Sequence, residues 1–70
     1  MAGYLVNSSN LHSVDYDSWR GTLIIEFRNE TVYEYFGVPE AVCRDLLAAD
    51  SKGGFHHRYI KHQYRYRRIR

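Results

Sequence analysis

The last nine residues, His62 to Arg70, read HQYRYRRIR: aromatic or apolar side chains alternate with bases, and there is no acid. Bases neutralise phosphates and tyrosine faces stack on nucleobases, so this is the chemistry that single-stranded nucleic acid binding uses. Arg65 and Arg67 project from one side of an extended strand here, with Tyr64, Tyr66 and Arg68 on the other. Just upstream, Arg58 and Lys61 lie three apart and share a helical face, which His57 extends. The same alternation also protects an exposed sheet edge from pairing with a neighbour. Edge protection needs only one or two bases, and this stretch with its helix supplies six.

Two further stretches could hold a ligand. Ser51-Lys52-Gly53-Gly54 opens a helix, and its small residues, free N–H groups and lysine suit a phosphate or carboxylate. It lacks the spacing of a Walker loop, and an ordinary capped helix start is the competing account. Tyr33-Glu34-Tyr35 places two rings on one side of a strand, where they could stack bases or pack as core with their hydroxyls partnered. Catalysis and metal binding find less support. His56 and His57 are adjacent and His62 follows five and six residues on, so none of them forms an i, i+4 ligand pair. With one cysteine and no nearby acid, neither a metal nor another cofactor is expected. Cys43 sits on an apolar helical stripe, and no nucleophile–base–acid set follows from spacing. The sequence reads as a non-enzyme.

The elements that must position these residues follow from pattern. A short β-like run around Tyr4 and Val6 stops at the polar cluster Asn7 to Asn10. LHSVDYD alternates as a half-buried strand, and SWRG turns the chain. Thr22–Phe27 and Thr31–Phe36 are the clearest strands. A two-residue loop between them would bury Glu34 opposite Ile25. A three-residue loop, Arg28 to Glu30, pairs Ile25 with Tyr33 and Leu23 with Tyr35, leaving Glu26 and Glu34 outside. That register favours a packing role for Tyr33 and Tyr35, and asks Asn29 or Glu30 to adopt positive φ. Pro39 and Glu40 open a helix whose apolar stripe is Val42, Cys43, Leu46, Leu47 and Ala49. Ser51 caps a second helix reaching Lys61, anchored by Phe55 and Tyr59 with Ile60 beside them, and a last strand runs from Tyr64 to Ile69.

Seventy residues make one domain, residues 1–70, of ordinary hydrophobic content (44%) rich in tyrosine. Residues 1–50 carry three bases and eight acids, while residues 51–70 carry seven bases and no acid, a net of −5 against +7. Such asymmetry points to an anionic partner or to the basic end folding back on the acidic half. A lone cysteine excludes an internal disulfide and fits a reducing compartment. Without a long apolar run or a signal pattern, the chain is expected in the cytoplasm, away from membranes.

VNSSNL, VDYD, TLIIEF, VYEYFGVP, LLAADSKGGF and YIKHQYRY together resemble the KTSC domain, over roughly Val6 to Tyr66. This module is named for a C-terminal segment of some lysyl-tRNA synthetases and also occurs as small bacterial and phage proteins. The set Tyr-x-Tyr, Val-Pro and Ser-x-Gly is distinctive as a whole. Family members usually carry glycine where this chain has Glu30. The synthetase context implies RNA binding.

The expectation is an α+β fold, a small antiparallel sheet with two consecutive helices on one face and a C-terminal strand (β-β-β-β-α-α-β). The expected function is a nucleic-acid-binding module for RNA or single strands, using Ser51, Lys52, Gly53, Arg58, Lys61, Arg65, Arg67 and Arg68, with Tyr33 and Tyr35 as stacking candidates. Two alternatives stay open: a homo-oligomer that sequesters a phosphate-bearing nucleotide, and a protein–protein adaptor.

Overall fold

The elements follow in the order β-β-β-β-α-α-β that the sequence implies. In the computed structural model, which describes residues 2–70, the strands are β1 (Ala2–Leu5), β2 (Leu11–Asp17), β3 (Thr22–Phe27), β4 (Val32–Tyr35) and β5 (Tyr66–Arg68). They form one antiparallel sheet with spatial order β1-β2-β3-β4-β5. Helix α1 (Glu40–Ala48) and helix α2 (Lys52–Phe55) lie between β4 and β5, and α2 runs directly into a π-helical segment, His56–Ile60.

The β3–β4 hairpin takes the three-residue loop, with Leu23 opposite Tyr35 and Ile25 opposite Tyr33. Phe27 N–H donates to Thr31 O at 2.8 Å and Glu30 N–H to Phe27 O at 2.9 Å. Glu30 takes the left-handed position, φ 71°. An L-residue reaches that region only at some cost, and Asn29 helps by accepting from both the N–H and the hydroxyl of Thr31. The register puts Leu23, Ile25 and Tyr35 in the core. Glu26 and Glu34 stay on the other face, where they pair with Arg70 and Arg67.

In strand β2 the simple alternation does not hold. Strict period two would put Leu11 on the face opposite Val14 and Tyr16, yet all three are buried. A register shift between Leu11 and Ser13 rotates the strand by one residue and brings Leu11 inward. The Tyr16 hydroxyl then crosses the core to donate to Val38 O at 2.6 Å, tying β2 to the segment before α1.

Helix α1 buries Cys43 and Leu46 as its stripe requires, with Val42 and Leu47 packed beside them. The second helical run departs from expectation. Its buried residues are His56 and Ile60, whereas Tyr59, an expected anchor, is exposed. Lys61 N–H donates to His56 O, an i to i+5 bond at 2.8 Å. The wider π turn changes which side chains share a face. Ile60 becomes the fully buried anchor, worth roughly 1.5–3 kcal/mol. Strand β5 is also shorter than Tyr64–Ile69, although Ile69 N–H still reaches Val32 O at 2.8 Å.

Candidate functional site

Where the helical run meets the hairpin end of the sheet, a cleft of about 650 Å³ opens. Its apolar side is aromatic: Phe27, Tyr33, Tyr35 and Tyr66. The polar wall comes from Ser9 and Asn10 before β2 and from Arg28, Asn29 and Thr31 in the hairpin loop. Gly53, His56, His57, Lys61 and His62 close the helical side. No acid lines it.

The rings are arranged by the sheet. Tyr35 and Tyr66 are cross-strand partners, as are Tyr33 and Arg68, so all four project from one face. Tyr33 and Tyr66 stack nearly parallel, 5.8 Å apart with 12° between planes. Phe27 meets Tyr33 edge-on at 5.9 Å. Tyr35 is 2% exposed and belongs to the core, while Tyr66 is 55% exposed. Tyr33 lies between them in exposure.

At the floor, the Tyr35 hydroxyl and His56 Nε2 are 2.7 Å apart. Burial, reinforced by Tyr33 and Tyr66, pushes the Tyr35 phenol up to about 12. Burial, with the charges of Lys61 and His57 behind it, lowers His56 to about 4. Both groups are therefore neutral near pH 7 and share one hydrogen bond, whose direction follows the imidazole tautomer. The floor is an uncharged, hydrogen-bonded pair under aromatic walls. It suits a flat, neutral ring.

Positive charge sits at the rim. Lys61 lines the cleft and is exposed. Arg28 lines it too, its guanidinium held on Ser8 O at 2.7 Å and Val6 O at 3.4 Å. These bonds orient the side chain without cancelling its charge. Gly53 lets the helix approach, because a Cβ there would lie 2.5 Å from Asn10 Nδ2.

The basic residues singled out in the sequence divide into groups. Gly53 and Lys61 line the cleft, and Arg68 projects from the same face of the sheet. Arg67 lies on the other face and bonds Glu34 at 2.9 Å. The Arg65 guanidinium lies 5.9 Å from the Phe36 ring centre, and that of Arg58 lies 5.5 Å from the Tyr59 ring centre. Ser51 Oγ accepts from Gly54 N–H as a cap, and Lys52 Nζ donates to Ala49 O. Both are engaged in joining α1 to α2. Cys43 is buried, and burial pushes its thiol up, opposite to the shift a nucleophilic thiolate needs.

Sequence reasoning missed Asn10, Arg28 and His56 as cleft residues. Spacing holds a partial signal for the last: His56 and Ile60 stand at the same i, i+4 interval as Phe55 and Tyr59. Arg28 and Asn10 carry none, since they reach the cleft through the end of the β2–β3 pairing, where Arg28 N–H donates to Asn10 O at 2.8 Å.

An open antiparallel sheet with helices on one face, carrying an aromatic, cation-rimmed cleft, defines a small α+β domain. The KTSC domain matches residues 7–64, and the chain belongs to that family. An uncharacterized protein from Stutzerimonas stutzeri is 42% identical over 65 residues, covering 91% of this chain and 92% of its own length. The lysine–tRNA ligase of Trichormus variabilis is 43% identical over 54 residues, 77% of this chain. The chain spans only 10% of that ligase's length. The crystal structure of a KTSC domain protein from Yersinia pestis superposes with a TM-score of 0.94 at 36% identity, covering 99% of this chain and 97% of that one.

Proposed function

We propose that this domain is a non-catalytic, cytoplasmic module that binds single-stranded RNA, taking a base into the aromatic cleft while rim cations meet the phosphates. The observation that carries the reading is the half-exposed Tyr66 ring stacked on Tyr33 beside Lys61 and Arg28, in a cleft lined by no acid. Aromatic faces beside cations bind single strands with little sequence preference. A cleft of about 650 Å³ falls within the range of small-ligand pockets and suits a unit of nucleotide size. The relatives that carry tRNA in their name lend support from a separate direction.

The reading draws its support from the cleft more than from the C-terminal strand. Arg67 is committed to Glu34 on the far face, so Arg28, Lys61 and Arg68 are the cations that serve a bound strand. With about three phosphates neutralised, log affinity against log salt should fall with a slope of roughly −2. Lys61→Ala should make that slope shallower by about 0.7 and weaken all sequences alike. Fluorescence anisotropy with labelled RNA hexamers measures both. No complex with any hexamer at low ionic strength would sink the proposal, and a nucleoside monophosphate binding as tightly as the hexamer would favour nucleotide sequestration.

A further inference from the structure

A second, shallower groove of about 680 Å³ adjoins the aromatic cleft. It is lined by Phe36, His62, Gln63, Tyr64, Arg65 and Tyr66. His62 and Tyr66 line both concavities, so the segment between them is a shared wall. The chain geometry explains the division. Successive residues of an extended strand face opposite ways, so Tyr35 points into the cleft and Phe36 into the groove. Phe36 N–H donates to Arg65 O at 2.9 Å, which continues the β4–β5 ladder and holds the wall in place. His62 takes φ 68° to turn the chain into that wall.

The groove repeats the chemistry of the cleft in a more open setting. It has aromatic rings in Phe36, Tyr64 and Tyr66, a cation in Arg65 near the Phe36 ring, and no acid. We infer that it is a second base subsite, so that a bound strand crosses the Tyr66 wall and seats adjacent nucleotides on its two sides. The inference rests on the reading of the cleft as a base site and extends it: the minimal full ligand is a dinucleotide unit. Arg65 then has a role distinct from that of Arg67, facing the step between the two bases.

The test compares uridine monophosphate, the dinucleotide UpU and a U6 hexamer by titration calorimetry on wild type, Phe36→Leu and Arg65→Gln. Phe36→Leu keeps an apolar filler and removes the stacking face, and thermal melting checks its fold. One additional stacked base should make the dinucleotide roughly 5- to 150-fold tighter than the monophosphate. Phe36→Leu should remove most of that gain while leaving the monophosphate unchanged, and Arg65→Gln should reduce it in part. Equal affinity for monophosphate and dinucleotide, or a Phe36→Leu protein that keeps the full gain, overturns the second subsite and leaves the cleft standing. If U6 also fails to bind wild type, the cleft reading falls with it.

Discussion

Acidification from pH 6.5 to pH 4 should destabilise the native state through one residue, His56. In the unfolded chain its imidazole takes a proton near 6.5, but in the fold burial holds it down to about 4. Between those values the unfolded state binds more protons, so stability falls as pH falls. The His56 contribution is fully present above 6.5 and is lost by about pH 4, below which the native state protonates as well. Each pH unit in the window is worth about 1.4 kcal/mol, giving about 3 kcal/mol in all. A 70-residue domain is stabilised by roughly 3.5–10 kcal/mol, so the loss is large. Urea unfolding followed by circular dichroism at steps from pH 7 to pH 4 measures it. His56→Gln, which can still hydrogen-bond the Tyr35 hydroxyl and does not titrate, supplies the control. Wild type should lose about 3 kcal/mol more than the variant across the window. Equal losses would refute the argument, because the acid sensitivity would then belong to groups common to both proteins.

Three further outcomes follow from the same geometry. Tyr35→Ala should cost about 3–5 kcal/mol as a truncated core aromatic, and Tyr35→Phe about 1–3 kcal/mol by leaving His56 Nε2 unpartnered, both read from urea midpoints. Arg67→Ala should change stability by at most about 1 kcal/mol, since its pair with Glu34 is largely exposed on the arginine side, and should leave RNA affinity nearly unchanged in anisotropy. Gly53→Ala should gain about 0.5–1 kcal/mol of helix preference but push Asn10 aside, so melting should hold while RNA affinity drops.

Much of this architecture is legible in the residues. The choice between hairpin registers follows from refusing to bury Glu34 opposite Ile25, and it marks Tyr35 as core from the residues alone. The stripe of α1 is equally plain. What the pattern hides are two local irregularities, each one residue wide. The bulge in β2 carries Leu11 to the buried face despite its alternation with Val14, and nothing in LHSVDYD marks it. The π turn after Phe55 rotates the helix so that His56, a polar residue that pattern reasoning leaves outside, becomes the cleft floor. The basic tail misleads for a third reason. Charge counting treats its arginines alike, whereas the sheet register assigns Arg67 to Glu34 and leaves Arg68 on the cleft side. Sites assembled between a helix and a distant loop, such as Gly53 against Asn10, are visible only once the chain is folded.

The most direct test of the central claim is an amide chemical-shift titration of the labelled protein with a U6 RNA at low salt. Trp19 is 97% exposed at the β2–β3 turn, the end of the sheet opposite the hairpin loop, and provides an internal reference surface. Binding in the cleft predicts saturable shifts at Tyr33, His57, Lys61 and Tyr66, with Trp19 and β1 unchanged. Shifts confined to Trp19 and β1, or no shifts at saturating RNA, would contradict it.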